Sequence, residues 1–368
     1  MKGCEMPSFK TLDECREAID ALDDEVLTLL NRRMEVVEHV GKIKNISGGA
    51  IYRPEREKEI IERLCTKSKN EGGILNKEAI EALYLEIFAI SRNLELPEKI
   101  AYLGPEGSFT HQAAESRFGA MSDYLPLKSI HAVFNALEKK RAKFGVVPIE
   151  NSRDGAVGET LDLLAKSKYK IVAELYMPIH LSFATSARRL SDVKRIYSKD
   201  KGFGQCRDFF IEHELQDVEQ IPVDSTAKAA KLAAADPESA AICSHIAAKL
   251  YNVPTMFENI EDVDSNTTRF IILSDFENVV HESSKTSILV RLRNGTEAGS
   301  LAHFLADFDE AKINLSKIES RPSKEVDGFG YWFFIDFYGH IHDERLKPIL
   351  EKREDEITWL GSYIKGEI

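Results

Sequence analysis

The apolar residues Ile19, Leu22, Val26, Leu29, Val36, Val40 and Ile43 follow alternating steps of three and four. That spacing predicts a heptad seam on one helix running from Asp13 to Lys44. One seam position is polar: Arg33 stands between Leu29 and Val36. Lys44 follows eleven residues later, about three turns on and on nearly the same face. A cation in an apolar seam is costly unless something neutralises it, and no acidic residue holds a neighbouring seam position of this helix. The counter-charge then comes from another helix or from a ligand, with a small carboxylate-bearing molecule in a helical bundle as the leading reading. The plain alternative is an arginine that reaches the rim and solvent. A second helix opens at Arg53-Pro54-Glu55-Arg56-Glu57, with Pro54 near its first turn, and runs to about Ser68. After a break at Asn70 to Gly73, a third runs from Lys77 to about Leu94, and Pro97 closes the block. The first helix, about 50 Å long, exceeds a compact bundle of this size. Its seam is therefore expected to meet a second copy in a homodimer of interlocked helices.

From Lys99 short apolar runs alternate with helical stretches. Strands are expected at Ile100–Leu103, Phe144–Ile149, Lys170–Leu175, Leu181–Ala184, Arg195–Tyr197, Ala240–Cys243 and Phe270–Leu273. This alternation reads as an α/β domain with a largely parallel sheet. Pro178 and Pro254 are candidate crossings between two lobes, with a ligand cleft between them. Near Glu282 to Lys285 the chain turns polar. Strand Thr286–Arg293, helix Ser300–Asp309, strands Asn314–Glu319 and Gly330–Tyr338 and helix Asp343–Arg353 follow, with a further short strand possible after Asp355. That order predicts a ferredoxin-like α+β unit. The fold class is thus multidomain, with expected bounds 8–97 (all-α), 98–276 (two-lobed α/β) and 285–368 (ferredoxin-like).

Composition narrows the chemistry. At 368 residues, 43% hydrophobic and 30% charged, the chain reads as soluble and globular. No run approaches a membrane span, and Met1 to Lys10 lacks the apolar core of a secretory signal. Five scattered cysteines show no metal-ligand spacing, so neither a metal nor another cofactor is expected and a reduced, cytoplasmic setting is. A net charge of −12 argues against nucleic-acid binding but leaves room for a local basic pocket.

The helical block holds Arg16, Arg33, Lys44, Arg53, Arg56, Glu57, Ser91 and Glu95. Ser91 and Glu95 are four apart and share a helix face; Arg16 points about 100° away from Arg33, which suits a partner's pocket. Four arginines, a lysine, a hydroxyl and two carboxylates contain no nucleophile–base pair. They suit a dianion that rearranges within itself, held in one conformation while charge develops. Arg16 with Leu22-Asp23, Arg32-Arg33, Gly41-Lys42-Ile43-Lys44, Tyr52-Arg53-Pro54-Glu55-Arg56-Glu57 and Ser91…Glu95 resemble the all-helical chorismate mutase domain. The resemblance implies that the cations hold two substrate carboxylates. It also implies that Lys44 and a protonated Glu95 bond the ether oxygen of the breaking C–O bond. Some members of that family carry Asp at the position of Arg53.

The middle block carries Gly104-Pro105-Glu106-Gly107-Ser108-Phe109-Thr110, Val147-Pro148-Ile149-Glu150-Asn151-Ser152 and Asn266-Thr267-Thr268-Arg269-Phe270. Each alone is ordinary turn chemistry at strand and helix ends. Together, with Tyr197-Ser198, Gln205-Cys206, Asp224-Ser225-Thr226-Ala227 and Pro178-Ile179-His180, they resemble prephenate dehydratase. Where that family often has His-Pro after Tyr-Ser, Lys199-Asp200 stands here. The resemblance implies Thr268 as donor to the departing hydroxyl, and Glu150, Asn151, Ser198, Gln205 and Thr226 as orienting groups. Arg269 and Phe270 complete the expected site, Arg269 either holding a carboxylate or forming a structural ion pair.

Glu319-Ser320-Arg321-Pro322 and Gly299-Ser300-Leu301 resemble an ACT regulatory domain, with Ala298 where the family usually has Pro. That implies phenylalanine binding between paired domains through Gly299, Ser300, Leu301, Glu319, Ser320 and Arg321, with feedback as coupling between interface and site. The leading expectation is a bifunctional enzyme with chorismate and prephenate as substrates, phenylalanine as effector and a homodimeric or homotetrameric assembly. The alternatives are a dehydratase with a helical dimerisation module and a non-catalytic amino-acid sensor, which leaves Thr268 unexplained.

Overall fold

The computed structural model describes residues 9–47, 54–95, 98–263, 265–293, 295, 297–322 and 330–366. Three long helices open the chain: α1 (Leu12–Ser47), α2 (Pro54–Asn70) and α3 (Lys77–Glu95). Pro54 begins α2, where its missing N–H costs nothing. Within the chain α1 packs on α3 through Leu30, Arg33, Met34, Val37, Val40 and Gly41, all buried or half-buried. The predicted seam is a different face. Ile19, Leu22, Val26, Leu29, Val36 and Ile43 are each more than half exposed. Arg33 therefore lies on the packed face next to that seam.

The middle unit starts with β1 (Lys99–Leu103), α4 (Phe109–Phe118), β2 (Asp123–Leu127), α5 (Ile130–Glu138), β3 (Phe144–Asn151), β4 (Gly155–Ala156), α6 (Gly158–Leu164) and β5 (Lys170–Pro178). At Pro178 the chain crosses to a second lobe. There lie β6 (Ser182–Thr185), β7 (Arg195–Ser198), α7 (Asp200–Gln205), α8 (Arg207–Glu212), β8 (Glu219–Pro222), α9 (Thr226–Ala235), β9 (Ser239–Cys243), α10 (His245–Leu250) and β10 (Thr255–Phe257). The return comes at β11 (Thr267–Ser274), which inserts between β3 and β5 of the first lobe. Pro254 is therefore not a crossing; it lies inside the second lobe, where its carbonyl accepts from Thr185 N–H at 2.9 Å. The two crossings are tied together. Glu261 on the return accepts from Leu181 N–H at 2.8 Å and pairs with His180 Nδ1 at 2.5 Å.

Neither sheet is largely parallel. The first runs β2-β1-β3-β11-β5 and the second β10-β6-β9-β7-β8. In each, the strands joined by helical crossovers are parallel, while β11 and β6 pair antiparallel with both neighbours. The reason is topological: a strand that arrives from the other lobe has no crossover helix to reverse it.

The last unit contains β12 (Ser284–Val290), α11 (Ser300–Glu310), β13 (Leu315–Pro322), β14 (Tyr331–Tyr338), α12 (Lys347–Lys352) and β15 (Ile357–Ile364). Its antiparallel sheet runs β13-β14-β12-β15, the ferredoxin-like order. The strand after Asp355 is a full eight residues, not a short one. This sheet docks on the first lobe with no gap in the apolar core. Leu289, Trp332, Phe334, Leu360 and Tyr363 share one cluster with Val147, Ile149, Ile171, Ile271 and Leu273. At the closest point Gly361 (φ 152°) lies against the backbone of Ile171, where an added Cβ would meet the carbonyl oxygen at 2.2 Å. Only glycine fits there.

Candidate active sites

In the helical unit, α3 supplies Arg33 with a neutral hydrogen-bond partner. Arg33 Nη1 donates to Ser91 Oγ at 2.5 Å, and Ser91 in turn donates to the Ile87 carbonyl at 2.6 Å. The guanidinium lies 5.9 Å from the Phe88 ring centroid. Burial lowers the Arg33 pKa from its ordinary value, opposed by Tyr84 and by the negative charge of Glu95. Gly41 makes this contact possible: a Cβ there would stand 3.1 Å from Glu95 Cα, so α1 approaches α3 closely one turn before Lys44. Arg33, Ser91 and Glu95 thus come together as expected. The side chain of Lys44, and Arg53 altogether, lie outside the described residues.

Three expected members are elsewhere. Arg16, about 25 Å along α1 from Arg33, is 72% exposed and pairs with Asp13 at 3.1 Å. Arg56 pairs with Glu59 at 2.9 Å on the surface. Glu57 is held by Arg92 and, at 3.6 Å, by Arg117 of α4. Arg92 also donates to the Phe118 carbonyl at 2.8 Å, so these residues fasten the helical unit to the first lobe.

In the middle unit the organising group is Asn151, at the end of β3. Its amide donates to Asn266 Oδ1 and to Thr268 Oγ1, both at 2.8 Å. Its own oxygen accepts from the N–H groups of Arg153 and Asp154 at 2.9 and 3.0 Å, which locks the turn after β3. Thr268 faces Asn151 directly in the β3–β11 ladder. Because its oxygen accepts from Asn151, the Thr268 hydroxyl keeps its proton to donate. Asn266 belongs to this network, although only Thr268, Arg269 and Phe270 of its motif were expected to act. Its signal was the requirement that a half-buried amide such as Asn151 satisfy both of its N–H groups.

The second lobe brings Ser198 to the end of β7, Gln205 to the end of α7 and Thr226 to the first turn of α9, whose cap is Ser225. Gln205 and Thr226 are half-buried. Ser198 is fully buried, its Oγ 3.4 Å from the Ile242 carbonyl, so its expected part in orienting substrate is replaced by a backbone contact. Polar and apolar contacts span the lobes. Lys201 pairs with Asp154 at 2.8 Å, and Ser244 Oγ donates to the Gly107 carbonyl at 2.8 Å. Gly107 (φ 80°) packs against Ala227 and Ala247, where any Cβ would crowd both.

Two expected substrate contacts are corrected. Phe270 is 2% exposed and packs in the core of the first lobe. Arg269, 3% exposed, gives Nε to Glu174 at 2.8 Å, Nη1 to Asp336 at 2.6 Å and Nη2 to the Tyr363 hydroxyl at 2.9 Å. Its guanidinium is engaged by protein on every nitrogen, which selects the structural ion pair over the carboxylate-holding role. Glu150 beside it pairs with Lys317 of β13 at 2.6 Å. In the last unit Gly299 (φ 86°) caps α11, and Arg321 reaches Asp162 of α6 at 3.4 Å. Among the described residues no cluster of His, Cys, Asp and Glu could hold a metal ion, and no helix is long and apolar enough to cross a membrane.

Comparison with known proteins matches the helical unit and the two-lobed unit to separate families. Residues 15–96 match the family model for chorismate mutase type II and residues 100–278 that for prephenate dehydratase. A bifunctional chorismate mutase/prephenate dehydratase of Aquifex aeolicus is 39% identical over 362 residues, covering 97% of this chain and 99% of its own. One from Pseudomonas aeruginosa is 37% identical, covering 96% and 98%. Among solved structures, the prephenate dehydratase of Arthrobacter aurescens in complex with L-Phe aligns with a TM-score of 0.64 at 31% identity. It covers 73% of this chain and 90% of its own.

Proposed function

We propose that this chain, which belongs to the bifunctional chorismate mutase/prephenate dehydratase family, divides its two reactions between the helical unit and the two-lobed unit. The enzyme rearranges chorismate to prephenate and converts prephenate to phenylpyruvate in phenylalanine biosynthesis. The first reaction breaks an ether C–O bond and forms a C–C bond within one molecule, so it needs clamping and charge stabilisation and no cofactor. Arg33, set by Ser91, receives one carboxylate. Lys44 and Glu95 bond the ether oxygen, and Arg53 and Arg56 close the pocket, Arg56 by leaving its exposed pair with Glu59, while Glu57 stays with Arg92 and Arg117. Arg16 serves the pocket of a second copy, since a rigid helix keeps it from its own. The exposed seam on α1 supports a homodimer, or a homotetramer built from it.

The second reaction expels CO2 and hydroxide from prephenate, and the electron pair left by the carboxylate closes the aromatic ring. Thr268 gives its proton or hydrogen bond to the departing hydroxyl, which leaves as water. Glu150, Asn151, Gln205 and Thr226 frame the substrate. The observation that carries this reading is the Asn151 amide fixing Thr268 Oγ1 as an acceptor. Phenylalanine feedback is assigned to the ferredoxin-like unit, read as an ACT domain binding the effector at Gly299, Ser300, Leu301, Glu319, Ser320 and Arg321 between paired copies. A relative solved with L-Phe supports the effector. Cysteine usage supports a cytoplasmic setting.

An ultraviolet assay from chorismate to phenylpyruvate, with and without phenylalanine, tests the whole scheme. Thr268→Ala is expected to lower phenylpyruvate formation by at least about 100-fold and to spare prephenate formation. Equal loss of both reactions would mean that the two sites are not separate.

A further inference from the structure

Beneath the Thr268–Asn151 pair lies a six-charge network shared by two units. The next register pair in the β3–β11 ladder is Arg269 opposite Glu150. Each of these is held from the ferredoxin-like sheet: Arg269 by Asp336 of β14 at 2.6 Å and Glu150 by Lys317 of β13 at 2.6 Å. Glu174 of β5 accepts from Arg269 and from Lys285 of β12, both at 2.8 Å. The two-lobed unit contributes Glu150, Glu174 and Arg269, a net charge of −1. The ferredoxin-like unit contributes Lys285, Lys317 and Asp336, a net charge of +1. Neither half is balanced alone, and unbalanced charge is what buried sites tolerate least.

Lys317 differs from the other five. It reaches the one network carboxylate that is adjacent in sequence to Asn151 and itself partly open, at 34% exposure. It also sits on the half-buried face of β13 together with Glu319 and Arg321, while Ser316, Ile318 and Ser320 are exposed. Arg321 continues the contact by packing on Gly158 at the start of α6, where a Cβ would stand 2.4 Å from its guanidinium. A single strand of the last unit therefore grips both β3 and α6 of the catalytic lobe.

We propose that Lys317 is a positioning residue of the dehydratase site, holding Glu150 and through it the Asn151–Thr268 pair. This rests on the placement of that site at Thr268. It gives the regulatory unit a direct hold on turnover, since a shift of β13 moves the Glu150 carboxylate without touching the substrate.

The test uses the full-length protein with Lys317→Met, Lys317→Arg and Thr268→Ala. Each is assayed for phenylpyruvate formation from prephenate, prephenate formation from chorismate, and melting temperature. One charge-assisted contact at a half-exposed site predicts a fall in dehydratase kcat of about five- to tenfold for Lys317→Met. Mutase rate and melting temperature should stay near those of the parent, and Lys317→Arg should recover kcat to within about twofold. A Lys317→Met enzyme with unchanged dehydratase kcat overturns the proposal. So does a parallel loss of both activities with a lowered melting temperature, or a failure of Lys317→Arg to recover kcat. If Thr268→Ala instead keeps full dehydratase activity, the site placement fails first and the proposal falls with it.

Discussion

Replacing Arg269 with methionine tests whether the arginine beside Thr268 grips substrate or holds the fold. Three charges remain in the buried network: Glu174, Asp336 and Lys285. Glu174 keeps Lys285 at 2.8 Å, but Asp336 loses its 2.6 Å partner and retains Lys285 only at 3.6 Å. Breaking one partner from a buried ion pair costs about 3–5 kcal/mol, roughly 6–10 °C in melting temperature for a cooperative unit of this size. The two tryptophans, Trp332 and Trp359, both lie in the last unit. Trp332 packs in the cluster shared with the first lobe, so tryptophan fluorescence follows this interface and not the helical unit. Removing both partners with Arg269→Met/Asp336→Leu should recover more than about 1 kcal/mol relative to the sum of the single changes. The pH dependence has a definite sign. Arg269 and Lys285 hold the Asp336 carboxyl below its usual range against the burial that raises it. That stability is present above the ordinary aspartate range and is lost as pH falls through the folded value. Without Arg269, burial dominates and Asp336 takes up a proton more readily, so the deficit of the variant narrows as pH falls. A variant that melts like the parent but shows a raised KM for prephenate would refute the structural assignment and return Arg269 to the substrate.

Glu98, on the segment joining α3 to β1, is pushed up to about 7 chiefly by burial, with Lys143 opposing. Its contribution to stability is present below the ordinary glutamate range and is lost as pH rises through about 7. After discounting its partial exposure, Glu98→Gln should gain about 2 kcal/mol at pH 8 and little at pH 5; thermal melts that shift equally at both pH values would contradict this. Glu95→Gln, which keeps a donor toward the ether oxygen, should retain mutase activity that Glu95→Ala loses, and equal loss in both variants would remove Glu95 as a donor. Gly361→Ala forces a Cβ to 2.2 Å from the Ile171 carbonyl. It should destabilise docking of the last unit by at least about 2 kcal/mol, read as a lower midpoint in the tryptophan transition, while mutase activity persists.

The hydrophobic pattern predicted elements well where they are long and one-sided. All three helices of the first unit and the β-α-β-β-α order of the last unit were legible, because each presents a continuous apolar stripe. The short second-lobe strands β8 and β10 were not, having three or four residues with little alternation. Strand direction was missed for a different reason. Direction depends on which lobe a strand comes from, and local sequence does not carry that information. The apolar residues of α1 were legible as one helix face, yet the chain buries the neighbouring face, because α3 approaches at Gly41. Thr268 and Asn151 were legible through short motifs at strand ends, and Arg33 through the break it makes in the apolar pattern of α1. The ties from Lys317, Asp336 and Arg117 were not, since each crosses from one unit to another over long sequence separations.

Magnitudes also separate the cations that remain available for a dianion from those that do not. The Arg16–Asp13 and Arg56–Glu59 pairs are exposed helix contacts of three-residue spacing, worth about 0–1 kcal/mol each. A substrate carboxylate in a drier pocket competes with them easily, because a charge-assisted bond strengthens as water leaves. Arg33 is better placed still: its partner Ser91 is neutral and balances none of its charge. Arg269 stands at the other extreme, with its carboxylate partners and Tyr363 almost wholly buried. Drawing it toward a ligand would strand Glu174 and Asp336 in the core at a cost of several kcal/mol, more than a single carboxylate contact returns. Arg269, next to Thr268, is therefore less exchangeable than Arg16, Arg33 or Arg56. On the proposed site assignment, prephenate is then held by groups other than Arg269, while the weakly paired Arg16 and Arg56 exchange readily onto chorismate.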